Sequence, residues 1–221
     1  MVSVLWKSDD PQPWLEHLEA AKERLQAIQD DKLIELEEWF WEHLPDQIQD
    51  RSPPQIHGEE LVKLMEWKLK RGKWRPKLLD YAKSAKEEDV RESSQAAFEA
   101  AGKITDEPDA DADVDGEAIR DALRPLTELK GVGPATASAI LTAFSPHIPF
   151  MSDEAMAAAL TGPKQYTPAR YLDFAHALRL KAHKLTTELG RTFSAQDVEK
   201  ALWSEALGQK PQKKAAGKRK R

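Results

Sequence analysis

Residues 129–141 read Leu129-Lys130-Gly131-Val132-Gly133-Pro134-Ala135-Thr136-Ala137-Ser138-Ala139-Ile140-Leu141. Two glycines bracket one small apolar residue, and a proline follows at once. Glycine permits a tight bend with positive φ and lets another backbone approach closely. Pro134 presets the first helical φ without wasting an amide donor. Beyond it Ala137, Ile140, Leu141 and Phe144 recur at helical spacing, so a helix opens at Pro134 with one buried face. Leu129 and Val132 are expected to point into the same core. Upstream, 117–128 reads as an amphipathic helix, which makes the stretch a helix–turn–helix hairpin. Its bend presents main-chain N–H groups at a helix N-terminus, where partial positive charge favours an anion such as a phosphate. An ordinary αα-hairpin that needs glycine only to turn explains the same spacing.

The helical period extends in both directions. Leu33, Leu36, Phe40 and Leu44 form one stripe, with Trp41 beside it. Residues 168–189 hold the period for five turns, with Thr167 as the N-cap, Pro168 at the first helical position and Gly190 at the C-cap. A further helix starts at Ser194, with Asp197 as its capping-box partner, and runs towards Leu207. Weaker helical patterns cover 13–29, 58–70, 75–83 and 86–101. No segment alternates with the two-residue period of a strand, so the fold class is all-α. The expected organisation is an N-terminal helical region over 1–104, an acidic loop over 105–116, the hairpin and C-terminal helices over 117–208, and a basic tail over 209–221.

The chain has 221 residues and no cysteine. Disulfides, a cysteine-ligated metal or iron–sulfur cluster and a cysteine nucleophile are therefore excluded. The least polar stretch, 135–144, is too short to cross a bilayer, and MVSVLWKSDD at the start lacks the apolar core of a secretory signal. A soluble intracellular protein without a membrane partner is the expectation. The formal net charge of −5 conceals strong clustering. Residues 1–62 sum to −10, 63–86 to +7, 87–208 to −9 and 209–221 to +7. A polyanion is held by a patch and not by an average, so nucleic acid stays open as a partner.

The basic patch centres on Lys68, Lys70, Arg71, Lys73, Arg75 and Lys77, around Gly72 and interleaved with Trp67 and Trp74. Several of these cations are expected to face phosphate, while both tryptophans are expected in the core or at its boundary. Lys218-Arg219-Lys220-Arg221, with Lys213 and Lys214, reads as a nuclear-import signal, a DNA-tethering arm or a solubilising tail. Asp111, Asp113, Asp115 and Gly116 echo the start of an EF-hand loop. Its twelfth position is Ala122, which cannot close the oxygen shell, so a flexible acidic linker is the better reading. His17, His43, His57, His147, His176 and His183 show no metal-ligand spacing, and no metal or cofactor is expected.

Over about 117–160 the chain resembles the helix-hairpin-helix DNA glycosylase superfamily that includes endonuclease III. The likeness rests on LKGVGPATASAIL followed by a Pro-containing loop and an aspartate. The stretch WKLKRGKWRP (67–76) is similar to one in uncharacterised eukaryotic proteins with the same hairpin. The resemblance implies a two-lobed helical fold, duplex DNA as partner, nuclear base-excision repair and action as a monomer. It places the DNA contact on Leu129, Lys130, Gly131, Val132, Gly133, Ala135 and Thr136, beside the cations Lys70, Arg71, Lys73 and Arg75. The family's essential aspartate falls on Asp153, and the lysine that forms a covalent imine in bifunctional members falls on Ala135, eighteen residues earlier. Ala135 implies that strand cleavage through that amine is absent, and the missing cysteines imply no iron–sulfur loop. After Asp153 stands Glu154-Ala155-Met156, not the family's usual Thr-His-Val type of sequence, so only the aspartate carries over.

A carboxylate beside C1′ of a deoxyribose stabilises oxocarbenium character and orients or deprotonates water. Ser152-Asp153-Glu154-Ala155-Met156 also reads as a helix start, in which Ser152 or Asp153 serves as N-cap. Three functions stay open: a monofunctional DNA glycosylase, a catalytically inactive DNA-binding module that kept the hairpin, and a protein-interaction scaffold.

Overall fold

A computed structural model describes residues 3–104, 114–189 and 192–209. Among them every regular element is helical. The chain runs through α1 (Pro11–Glu19), α2 (Ala21–Gln26), α3 (Asp31–Glu38), α4 (Leu44–Gln49), α5 (Gly58–Arg71), α6 (Pro76–Ser84), α7 (Glu87–Ala101), α8 (Val114–Thr127), α9 (Pro134–Phe144), α10 (Asp153–Ala159), α11 (Pro168–Leu189) and α12 (Ala195–Gln209). A 3-10 turn covers Leu5–Lys7 and a π-helical turn covers Trp39–His43.

Several helix starts follow the sequence signals. Arg170 N–H donates to Thr167 Oγ1 at 3.2 Å ahead of α11. Ser194 and Asp197 exchange the two bonds of a capping box, at 2.9 and 3.0 Å. The pattern over 13–29 resolves into two helices that break at Ala20. The acidic loop is shorter than 105–116, because 114–116 already belong to α8. Residues 105–113, Gly190 and 210–221 lie outside the described residues, and with them Asp111, Asp113 and the basic cluster of the tail.

The α3 stripe is buried as its period implies, with Leu33, Leu36, Phe40 and Leu44 at most 4% exposed. Between Phe40 and Leu44 the helix widens, and Leu44 N–H reaches back five residues to the Trp39 carbonyl. Pro45 has no N–H to offer the next turn, which favours a local change of register there. Trp41 Nε1 donates to Glu37 at 2.6 Å.

Packing partners fall into two groups. The chain's ends associate, α1, α2, α10 and α11 lying around α12, while α3 to α9 pack among themselves. Helix α11 bridges the groups by touching both α8 and α9. One large apolar core nonetheless runs from Leu5 to Leu202, and a smaller cluster joins Leu25, Leu33, Trp203 and Leu207. Its axis is α9, where nine consecutive residues, Ala135 to Ala143, are buried. That exceeds the single face expected from Ala137, Ile140, Leu141 and Phe144. The added positions are Ala, Ser and Thr, small enough for helices to close in on all sides.

Small residues on α9 also fix the next segment. Ser138 Oγ accepts the Met151 N–H at 3.0 Å, and Thr142 Oγ1 donates to the Ile148 carbonyl. From α11, Tyr171 Oη donates to the Pro149 carbonyl at 2.9 Å, and Arg179 donates to the His147 carbonyl at 3.2 Å. From α12, Gln196 N–H reaches the Pro146 carbonyl at 3.0 Å. Residues 146–151 thus satisfy backbone groups on side chains of α9 and α11 and on the main chain of α12, each bond contributing about 1 kcal/mol. This strap delivers Asp153 to its place.

Candidate functional site

The two glycines of the bend do different work. Gly131 has φ +85°, and a Cβ there would lie 2.7 Å from Tyr81 Cδ2 and 2.8 Å from Tyr81 Cβ. Both the conformation and the space demand glycine. Gly133 is extended and exposed, and a Cβ would meet nothing within 4 Å. Nothing inside the fold requires glycine at this position. Val132, 5% exposed, anchors the bend from below, and Leu129 packs against the same core. Among the described residues the N–H groups of Gly131, Gly133 and Ala135 make no backbone hydrogen bond. They lie at and just before the start of the 11-residue helix α9, and of the three residues Gly133 is exposed.

That bend forms one wall of a cleft of about 270 Å³. The opposite walls come from the end of α5 with Gly72, Lys73 and Arg75, from Phe150–Glu154, and from Tyr166. The cleft therefore lies where the two helix groups meet. It brings together Gly131, Gly133, Ala135 and Thr136 of the hairpin, Lys68, Arg71, Lys73 and Arg75 of the basic segment, and Asp153.

Asp153 does not cap α10. Ser152 takes that role, its Oγ accepting the Ala155 N–H at 3.3 Å. The Asp153 carboxylate is thereby released to face the cleft, where its side chain is 44% exposed. Tyr166 Oη donates to Oδ1, and Lys164 Nζ stands 3.5 Å from Oδ2. Burial, then the Asp153 carboxylate, pushes the Tyr166 phenol up to about 12, so it stays a proton donor at neutral pH. Lys164 and Tyr166 come from the loop after α10, and no spacing in the sequence pointed to either.

The basic segment divides at Gly72. Before it, Lys70 is taken by Asp30, with Nζ 2.8 Å from both carboxylate oxygens. Arg71 is 7% exposed. Its guanidinium lies 4.0 Å from the Trp203 ring centroid, 5.3 Å from Trp67 and 5.4 Å from Phe150. Its Nη2 donates to Glu199 at 2.7 Å, and Nε is 3.8 Å from Glu37. Neither cation is placed to meet phosphate, since each side chain is already engaged by a carboxylate. Burial pushes the Glu199 carboxyl above its usual range, and Arg71 opposes the shift.

After Gly72, Lys73 and Arg75 are exposed, as is Lys130 across the bend, whose ammonium sits 4.7 Å over the Tyr81 ring. The tryptophans split in the same way. Trp67 is fully buried and stacks on Phe40 at 3.6 Å. Trp74 is 46% exposed, contrary to the expectation of burial, because the chain has left α5 and runs over the surface before α6 begins. No protein-family model matches this chain, and searches of curated proteins and of solved structures find no match either.

Proposed function

We propose that the protein binds duplex DNA across this cleft and hydrolyses the N-glycosidic bond of a damaged base, as a monofunctional glycosylase of the helix-hairpin-helix type. One observation carries the reading: the glycine-bracketed bend and Asp153, eighteen or more residues apart, line the same open cleft. In this reading the free N–H groups of Gly131, Gly133 and Ala135 hold one backbone phosphate, and Lys73, Arg75 and Lys130 hold others. Exposed Trp74, between Lys73 and Arg75 in the chain, offers an indole to stack on a base or fill the gap left by one. The grouping of helices into chain ends and chain middle supports a two-lobed arrangement with the substrate between.

Within the cleft the Asp153 carboxylate would face C1′ of the extruded nucleotide. As the base departs with the bonding electrons, the carboxylate stabilises the positive charge on the sugar and accepts a proton from the attacking water. Tyr166 and Lys164 hold its orientation. A leaving base already activated by alkylation asks least of such a site, because no separate acid must protonate it.

Duplexes carrying single alkylated, deaminated or oxidised bases, followed by alkali cleavage, test the enzyme directly. Release from at least one lesion, abolished by Asp153→Asn, is expected; activity unchanged in that variant removes Asp153 from the reaction. Binding to undamaged duplex should weaken steeply with salt, and Lys73→Ala with Arg75→Ala should flatten the log–log slope by about 2. A salt-independent response overturns the DNA reading. A second reading, a binding module without catalysis, is favoured by the engagement of Asp153 by both Tyr166 and Lys164, which ties up the carboxylate. Duplex binding with no release from any lesion would select it. A nuclear location and a role in base-excision repair belong to the first reading.

A further inference from the structure

The run between α10 and α11 carries a residue pattern that the DNA reading leaves unused. Nine consecutive residues, Thr161 to Ala169, are exposed, and 161–167 have no regular secondary structure. The run ends in Tyr166-Thr167-Pro168-Ala169-Arg170, a threonine followed at once by proline and by a cation three residues on. Ser/Thr–Pro pairs start at Ser52, Ser145 and Thr167, and the third residues after them are Gln55, Ile148 and Arg170. Ser145 is half-buried and leads into the strap whose carbonyls are held by α11 and α12. Ser52 is exposed but has no cation at that distance. Thr167 alone combines exposure, the proline and the basic residue.

We propose that Thr167 is a phosphorylation site, the acceptor for a proline-directed protein kinase that selects a basic residue three positions later. A kinase groove without an acceptor for the amide after the target takes proline at no cost, whereas any other residue there loses a hydrogen bond to water. An acidic subsite further along the groove pairs with a guanidinium. The Thr167 hydroxyl is available to such a groove. Its oxygen accepts from Arg170 N–H at 3.2 Å, and among the described residues its own O–H is donated to nothing.

An extended pose in the groove requires the first turn of α11 to open. Amides of a first turn have no intrahelical acceptor, and Pro168 has no amide proton at all, so opening costs little. The contacts released are Tyr171 N–H to the Thr167 carbonyl at 3.0 Å and the Arg170 guanidinium to the Thr161 carbonyl. Tyr171, fully buried and bonded to the Pro149 carbonyl, anchors the helix beyond that turn.

The co-reactant is ATP, and no oxidant or reductant takes part. The Thr167 oxygen attacks the γ-phosphorus, forming a new O–P bond as the bond from phosphorus to the bridging oxygen breaks. ADP departs with that electron pair, and the hydroxyl proton passes to a carboxylate of the kinase. The product carries a further charge of about −1.5 to −2 beside Tyr166, which lines the cleft and holds Asp153. Lys164, now 3.5 Å from Asp153, gains a competing anion three residues away in the chain. A nucleic-acid polyanion approaching this side of the cleft is then repelled. That consequence rests on the DNA reading above; the acceptor assignment does not.

The test incubates the full-length protein with ATP and a purified cyclin-dependent protein kinase and maps phosphopeptides by mass spectrometry. A synthetic peptide of residues 161–172 reports recognition of the same run without the fold. Phosphate is expected on Thr167 at no less than about a tenth of the peptide's rate, the population cost of opening one helical turn. Thr167→Ala should lose it, and Thr167→Ser should keep it. Duplex affinity of the phosphorylated protein should fall about tenfold at low salt, with the difference shrinking as salt rises. Phosphate on Ser52 or Ser145 ahead of Thr167, a peptide modified while the folded protein is not, or modification of neither each overturns the assignment. Unchanged duplex affinity in protein phosphorylated at Thr167 would overturn the link from this site to the cleft. Unmodified protein that fails to bind duplex while Thr167 takes up phosphate would instead overturn the DNA reading and leave the acceptor standing.

Discussion

The two halves of WKLKRGKWRP behave as opposites. Up to Arg71 the run is helix α5, and its aromatic and cationic side chains are drawn inward, Trp67 to full burial and Arg71 into a cage of Trp203, Trp67 and Phe150. From Gly72 the backbone leaves the helix, and Lys73, Trp74 and Arg75 stand in solvent, Lys73 and Arg75 lining the cleft. The residue types on the two sides of Gly72 are nearly the same. Density of charge along a sequence therefore says little about potential at a surface until the helix register and its end are known. Gly131 and Gly133 repeat the lesson two residues apart: one glycine is required by the fold, and the other is required by nothing in it.

Four substitutions break or sharpen these contrasts. The largest effect belongs to Arg71→Met, which strands Glu199 as a buried carboxylate without its partner. A loss of about 3–5 kcal/mol in denaturant unfolding is expected, whereas a change under 1 kcal/mol would mean that the cage is not a structural device. Next is Gly131→Ala. It combines a positive φ with overlap on Tyr81 and should cost about 2–4 kcal/mol, measured the same way.

The third effect has the opposite sign. The folded protein holds the Lys68 ammonium near 8 against a usual 10.5, so it binds fewer protons than the unfolded chain between those values. Stability from this group therefore rises with pH across that window, is complete above it, and is withheld below pH 8. Lys68→Met should accordingly raise stability by about 1–2 kcal/mol at pH 7, after allowance for residual solvent. A melting temperature that falls would show that the ammonium is well compensated. The smallest structural effect is expected for Gly133→Ala, within about 0.5 kcal/mol of wild type. In the proposed function its methyl group obstructs a phosphate at the bend, and duplex affinity should drop by about fivefold to tenfold, worth roughly 1 kcal/mol. Unchanged affinity in a folded Gly133→Ala protein would reduce the hairpin to a structural turn.

Much of the architecture could be read from residue order, for a definite reason. Helix periodicity and capping are local, so α11 and its Thr167 cap, the Ser194–Asp197 box and the start of α9 at Pro134 follow from residues within a turn of each other. The burial of α9 on every side is not local. It depends on what packs alongside, and the sequence pattern for α9 shows only one apolar face. The candidate site divides similarly. Asp153 is singled out by the family resemblance, and Gly131 by its neighbours in the chain. Lys164, Tyr166 and Lys68 had no such signal, because the irregular segment between α10 and α11 has no period to place the first two, and Lys68 reaches the cleft only through residues far away in the chain.

Order along the chain alone settled that this protein is helical, lacks cysteine chemistry and carries a glycine-flanked bend ahead of an aspartate, since each is a matter of composition or of spacing within a few turns. Tertiary structure alone decided which cations are consumed by carboxylates and which meet solvent, and that Ser152 caps α10 so that Asp153 is free to face a cleft. Burial and pairing are properties of three-dimensional neighbours, and solvation free energy, not sequence distance, selects among them.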